Sequence, residues 1–237
     1  MQTNTILAAL VNMTVSWEPT TSLPHTIYCS SQHGLFFAHK TSRFVLGVSA
    51  SDNPLEMRRI ASVCGIGSVD DPLRKRKSIS TIYESIPRGV WARKWTLLGV
   101  LVNDGETPGR KSPNDGFIAA EPIVFPHSLY GRPIEHIFSQ EAQLGILGIR
   151  SDTGATETTS VEVHGLDKPA DPTFVSLSIP NNTNVGYDGA PVLDERGSLV
   201  ALVLYDEIMA DNSRQLFCIL FSKLIAKVGH CIEEYLL

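Results

Sequence analysis

The 237-residue chain lacks an apolar run of the roughly 20 residues that a membrane-spanning helix needs. The apolar segment nearest the start, Ile6–Val11, is short, and no lysine or arginine precedes it. It therefore makes a poor signal peptide. We expect a protein that makes no contact with a membrane.

Cysteine is scarce: the chain contains four, and no two have the Cys-x-x-Cys spacing of a redox or zinc site. Cys29, Cys64 and Cys218 lie in apolar, strand-like runs, which is typical of buried thiols. Because no disulfide framework is apparent, we expect a cytoplasmic or otherwise intracellular location.

A surplus of positive charge is also missing. The net charge of −5 and the pI near 5.8 argue against a nucleic-acid partner. The one basic run, Arg74–Lys77, is interpreted as a solvated loop. His127, Glu135 and His136 do not form a metal-binding motif, and no glycine-rich phosphate loop is present. We therefore predict no metal and no cofactor, and the oligomeric state stays open.

The chain does contain many short apolar runs, which 14 prolines and 18 glycines separate. Two successive sets of about six such runs predict an all-β fold of two six-stranded antiparallel β-barrels. The expected boundaries are an N-terminal arm at 1–22, a first barrel at 23–126 and a second at 127–222. The last segment, 223–237, has the apolar periodicity of a C-terminal α-helix.

The most informative segment is Gly186–Asp194, with the sequence Gly-Tyr-Asp-Gly-Ala-Pro-Val-Leu-Asp. Its glycines permit a positive φ or a close backbone approach, and such turns point successive N–H groups into one concavity. We predict an oxyanion nest formed by Gly186, Asp188 and Gly189. Pro191 ends the turn, and a strand, a hairpin turn and a longer apolar strand follow. An ordinary surface hairpin with a Gly-Asp-Gly turn fits the same pattern.

This arrangement resembles the nucleophile turn of trypsin/chymotrypsin-like serine peptidases of the PA clan. In that family a serine stands where this chain has Asp188. A carboxylate is a poor nucleophile toward an amide, and its charge repels a developing oxyanion. The resemblance thus implies a two-barrel trypsin-like fold in a degenerate member.

The resemblance also suggests positions for the other two members of the catalytic triad. The run Gly34–His39 resembles the strand that delivers the catalytic histidine, so His39 takes the general-base position, with His33 as the rival. The strand that carries the orienting aspartate matches Trp95–Leu98, which puts Lys94 at the aspartate position. A lysine cannot accept the imidazole N–H. Asp104 or Asp52 would substitute if the strand registers differ.

The implied function is a catalytically inactive domain, a pseudoprotease, that binds or regulates a peptide or protein in a groove between the barrels. Val200–Tyr205 is expected to be an edge strand that pairs with an extended peptide. Two alternatives remain. One is an active serine-type endopeptidase with a displaced triad, for which Ser176, Ser198 and Cys218 are candidate nucleophiles. The other is a structural or assembly protein on a β-barrel scaffold.

Overall fold

The computed structural model describes residues 3–19, 28–51, 57–65, 78–82, 94–114, 116–125, 138–139, 141–150, 152–168, 170–180 and 186–226. A short helix, α1 (Thr3–Ala9), opens the chain. The strands are β1 (Leu10–Pro19), β2 (Tyr28–His39), β3 (Ser42–Ser51), β4 (Met57–Val63), β5 (Ser78–Ile82), β6 (Lys94–Val102), β7 (Gly109–Lys111), β8 (Phe117–Ala119), β9 (Ile123–Val124), β10 (Leu144–Ile149), β11 (Thr156–Leu166), β12 (Phe174–Ile179), β13 (Pro191–Leu193), β14 (Leu199–Ile208) and β15 (Arg214–Leu220). Helix α2 follows at residues 221–226. The prediction of an all-β fold is confirmed.

The first set of strands forms a curled seven-stranded sheet in the order β4-β1-β2-β3-β6-β5, with β9 pairing in parallel with β2. The segment predicted to be an N-terminal arm is part of this sheet. Strand β1 pairs with β2 on one side and with β4 on the other. Its side chains Val11, Met13 and Val15 are buried, so the apolar residues of the arm serve as core of the first sheet.

The second set forms a closed six-stranded barrel in the order β10-β11-β12-β15-β14-β13, as predicted. Its interior is filled by a separate apolar cluster that includes Ile146, Val175, Leu177, Val203 and Leu216. Because closure satisfies the backbone hydrogen bonds along most strands, this barrel is a rigid support for the turn that precedes β13.

The two halves share one apolar core. A single cluster joins Phe37 and Phe44 of the first sheet to Leu202, Phe217 and Phe221 on the outside of the barrel and in α2. The Phe37 and Phe221 rings stack with centroids 6.1 Å apart. The interface between the halves is therefore a packed interior.

Helix α1 links the two halves. At its C-terminal end, Arg110 of β7 donates from Nη1 to the carbonyl oxygens of Leu7 (3.0 Å) and Leu10 (3.3 Å). At its start, Thr3 lies so close to the β13–β14 hairpin that a Cβ added at Gly197 would come within 2.2 Å of Thr3 Oγ1. Helix α2 begins two residues earlier than the predicted helix; Leu224 and Ile225 face the shared core, and its predicted residues beyond 226 lie outside the described part.

Candidate functional site

The turn at 186–190 is held by the backbone of two different strands. Gly189 N–H donates to Val203 O (2.8 Å), and Val203 N–H donates back to Ala190 O (2.9 Å). On the other side, His33 N–H of β2 donates to Asp188 O (2.8 Å). Gly189 has φ of 76°, and a Cβ there would lie 2.1 Å from His33 O. Only glycine fits this position, because both the conformation and the space exclude a side chain.

The predicted oxyanion nest needs a correction at Gly189. Its N–H points inward and is used by Val203 O, so it cannot bind an anion. No described residue accepts a hydrogen bond from the N–H of Gly186 or Asp188. A Cβ at Gly186 would meet nothing within 4 Å. The structure therefore leaves two of the three predicted amides, those of Gly186 and Asp188, for an oxyanion.

The carboxyl group of Asp188 lies in an environment that favours its protonated form. Burial is the main cause, and the nearby negative charge of Asp206 adds to it, while Arg214 acts in the opposite direction. Together they raise the pKa of Asp188 to about 7. The uncharged acid is therefore more favoured at this position than for an exposed aspartate.

Arg214 does not neutralise Asp188, because Asp206 already engages it. Its Nε lies 3.1 Å from Asp206 Oδ2, and Nη2 contacts the same oxygen. The guanidinium also lies over the Tyr187 ring, 5.6 Å from its centroid. The Tyr187 hydroxyl is 2.8 Å from Thr159 Oγ1, which holds the buried ring in place. Of the two neighbouring acids, Asp206 is hydrogen-bonded to Arg214 and Asp188 is not.

His33 joins the turn to both the first sheet and the barrel. Its side chain is only 4% exposed. Ile149 N–H donates to Nε2 (2.7 Å), so the ring proton is on Nδ1, which lies 3.1 Å from Asp188 O and donates to it. Burial lowers the pKa of His33 to about 4. Both ring nitrogens are thus occupied, and His33 has no free lone pair with which to take a proton from another group.

The structure does not bring His39 to Asp188. His39 lies six residues beyond His33 on the same strand, which is about 20 Å away along β2. It is 4% exposed and packs edge-on against Phe125, with ring centroids 6.1 Å apart. His39 is therefore not placed to act as a general base on residue 188. The sequence analysis placed it there because Gly34–His39 resembles the strand that delivers the catalytic histidine; which end of β2 meets the turn at 186–190 depends on packing between segments that are distant in sequence.

His39 and Lys94 also lie at opposite ends of β3. His39 pairs with Ser42, and Lys94 pairs with Ser51. Nine residues of strand separate these two partners, which is about 30 Å. The Lys94 side chain and Asp52 lie outside the described residues, and Asp104 is in an exposed turn near Arg43. The three predicted triad positions do not meet.

The alternative nucleophiles are in unsuitable surroundings. Ser176 is buried in β12, and its hydroxyl donates to Gly165 O (3.3 Å). Cys218 is fully buried in β15, and burial raises the pKa of its thiol. Ser198 lies in the β13–β14 hairpin, where its N–H donates to Asp194 Oδ1 (2.8 Å). In the described part of the chain, no histidine is hydrogen-bonded to any of these three residues.

The part of β14 that pairs with a single described strand lies further along β14 than the sequence indicated. Ala201 and Leu202 pair with β13 on one side and β15 on the other. From Tyr205 to Ile208, β14 pairs with β15 alone, and no other described strand lies on the opposite side. Ile208 in this segment is 70% exposed. The segment Tyr205–Ile208 is called the open edge below.

Two further sequence predictions concern a metal site and a membrane-spanning helix. Within the described residues, no three His, Cys, Asp or Glu side chains are close enough together to bind a metal ion. His127, Glu135 and His136 lie outside them. None of the helices in the described part of the chain is long and apolar enough to span a membrane.

Sequence comparisons with known proteins give no match: no family model and no curated protein is similar to the chain. Solved structures are similar. Two structures of the HtrA-type protease AlgW with a decapeptide, one of them of a variant, have TM-scores of 0.53 and 0.51, both at 12% identity over 99% and 98% of this chain. A third, with a tripeptide, has a TM-score of 0.50 at 11% identity. This chain spans 66% of the length of the first two and 62% of the third.

At such low identity the similarity establishes the fold and nothing further. The closed barrel, the curled sheet beside it and the turn between β12 and β13 agree with it. The chain has the trypsin-like fold of HtrA-type serine proteases.

Proposed function

We propose that this chain is a catalytically inactive domain of the trypsin-like fold that binds an extended peptide or protein segment. The observation that carries the proposal is the pair formed by Asp188 and His33. A carboxyl group stands where the sequence resemblance assigns the nucleophile, and His33, which contacts the turn, has both ring nitrogens hydrogen-bonded inside the protein.

Acyl transfer needs a hydroxyl or thiol and a base that removes its proton. Asp188 provides neither a hydroxyl nor a thiol. His33 is neutral at physiological pH, but its Nε2 accepts from Ile149 N–H and so cannot accept from a nucleophile. His39 is at the far end of β2. Restoring the serine alone is therefore not expected to restore activity.

Peptide binding is supported by the open edge. A strand that pairs on one side only presents main-chain N–H and C=O groups to a peptide, which adds to the sheet as a further strand. Two of the similar AlgW structures contain a decapeptide, which supports a peptide as the class of ligand. Here the open edge begins two residues after Val203, whose backbone anchors the Asp188 turn. A peptide bound along it would end beside Asp188.

The charges near the open edge favour a basic ligand. Asp188 and Asp206 are acidic, and the positive charge of Arg214 is paired with Asp206. When Asp188 is ionised, this group has an excess of negative charge. We expect a peptide that places a lysine or arginine side chain beside Asp188.

Two experiments test the proposal. The first treats wild type and Asp188→Ser with a fluorophosphonate probe. We expect no labelling of either, since neither has a free histidine base at residue 188. Labelling of the wild type would refute inactivity. Labelling of Asp188→Ser alone would refute the argument that no base is available.

The second experiment measures binding of a fluorescent decapeptide library by anisotropy and then repeats it with the selected peptide N-methylated at alternate residues. N-methylation of the residues that face β14 should abolish binding, because it removes strand hydrogen bonds. Asp188→Asn should weaken the preference for basic peptides, whereas Glu162→Gln, on exposed β11, should leave it unchanged. If no peptide binds, or if N-methylated peptides bind equally well, the peptide-binding proposal is wrong.

A further inference from the structure

His33 and Asp188 form a joint between the two halves of the molecule that goes beyond the binding proposed above. Among the described residues, the hydrogen bonds between the turn at 186–190 and the first sheet end on the main chain and ring of His33. The ring in turn reaches β10 through Ile149. A buried base, His33, and a half-buried acid, Asp188, therefore meet at the peptide carbonyl of Asp188.

The hydrogen bonds of His33 require an uncharged ring. An imidazolium donates from both nitrogens. In that form Nε2–H would point at Ile149 N–H across 2.7 Å, so two donors would oppose each other. The ring cannot simply turn away, because the His33 main chain is bound to Asp188 O and in contact with Gly189. Protonation of His33 therefore opens the joint.

The geometry around Asp188 likewise favours an uncharged carboxyl. The cation nearest to it, Arg214, is engaged by Asp206, and the carboxyl is largely withdrawn from water. A buried acid beside a second carboxylate is stable only when protonated. Ionisation of Asp188 therefore also favours an open joint.

The other charges near the joint do not change this balance. Beyond β10, Arg150 is bound to Asp152, with Nη2 and Oδ2 2.8 Å apart. On β1 the residue opposite His33 is Asn12, which is uncharged. On β3 the neighbour of the His33 carbonyl is Gly47. Asp206 and Arg214 act on Asp188, as described above.

We propose that the closed joint is favoured when His33 and Asp188 are both uncharged, and that opening releases a proton from Asp188 as His33 takes one up. Between about pH 4 and pH 6.5 the net proton exchange is zero, so the stability of the closed joint hardly changes with pH. Each residue alone would make the joint pH-sensitive, in opposite directions.

The direction in which pH shifts the opening equilibrium follows from the pKa of each group in the closed joint and in the open joint. His33 has a pKa of about 4 in the closed joint and 6.5 when exposed, so on its own it opens the joint as pH falls. Asp188 has a pKa of about 7 in the closed joint and 3.8 when exposed, so on its own it opens the joint as pH rises. Over the shared range, each changes the opening equilibrium about tenfold per pH unit.

Amide hydrogen exchange at Ile149 and His33, whose N–H groups donate the hydrogen bonds of the joint, measures the opening directly once it is corrected for the intrinsic pH dependence of exchange. We expect flat protection in wild type from pH 4.5 to 6.5. In Asp188→Asn, protection should fall about tenfold per pH unit on acidification; in His33→Gln it should rise by the same factor. The double variant should be flat again. His164→Gln, on the exposed face of β11, should behave as wild type.

The proposal that the two residues compensate would be refuted if protection changed steeply with pH in wild type. It would also be refuted if protection in Asp188→Asn did not change with pH. If His33→Gln does not fold, the comparison of wild type with Asp188→Asn still decides. The His33 ring resonance in wild type gives a second readout, since a midpoint near 6.5 in the folded protein would also refute the proposal.

Discussion

Replacement of Gly189 by alanine tests whether the turn is fixed by its contact with β2. An alanine at φ 76° is strained by about 1–2 kcal/mol in any protein. At this position the new Cβ would also lie 2.1 Å from His33 O, a backbone atom that cannot move without breaking the β1–β2 pairing. Overpacking of this kind adds about 1–3 kcal/mol. We therefore expect Gly189→Ala to lower the free energy of unfolding by about 2–5 kcal/mol.

Two other glycines provide matched controls. Gly105 has φ of 85°, but a Cβ there would meet nothing within 4 Å, so Gly105→Ala should show the backbone strain alone, about 1–2 kcal/mol. At Gly186 neither a positive φ nor a close contact is present, so Gly186→Ala should be nearly neutral. The difference between Gly189→Ala and Gly105→Ala isolates the contact with His33.

Urea denaturation followed by circular dichroism measures all three variants. The reasoning fails if Gly189→Ala is no less stable than Gly105→Ala, because the close approach to His33 would then have no energetic consequence. It also fails if Gly186→Ala is as destabilised as Gly189→Ala.

Three further substitutions have expected effects on the free energy of unfolding, measured in the same assay. Tyr187→Phe removes the buried hydrogen bond to Thr159 and should cost about 1–2 kcal/mol, while Thr159→Val in the same background should cost little more. Arg110→Met keeps the apolar stem but leaves the carbonyls of Leu7 in α1 and Leu10 in β1 without their donor, for a loss of about 1–3 kcal/mol; an equal stability would show that water replaces the guanidinium. Asp188→Asn should stabilise the protein by up to about 4 kcal/mol at pH 8 and by less than about 1 kcal/mol at pH 4, because the folded state must ionise a group with a pKa near 7; equal effects at both pH values would contradict this.

The fold was largely predictable, because strand rhythm and turn chemistry are local signals. The hairpin after Pro191 was placed correctly, and the apolar run that follows it is β14. The role of Leu10–Pro19 was not predictable. Its alternation suits a strand, but pairing between β2 and β4 depends on segments that are distant in sequence.

One residue of the site, Asp188, was predictable from the sequence, but the spatial arrangement of the site residues was not. Asp188 stands out because its glycine-flanked turn is a local pattern. His33 and His39 could not be distinguished, because both lie in the same strand and only the location of the next turn decides which one reaches Asp188. Arg214 carried no signal at all, since its contacts with Asp206 and Tyr187 arise from cross-strand register and ring packing.

The apolar core that the two halves share determines how this molecule can move. Proteins with two separately packed lobes close on a ligand by hinge bending. Here Phe37 and Phe221 belong to the same packed interior, so a hinge between the halves would expose aromatic surface to water. The protein should unfold in one cooperative transition, and neither half should fold when expressed alone. A ligand therefore meets a surface that is already formed, and recognition depends on the fit of the peptide and not on closure around it.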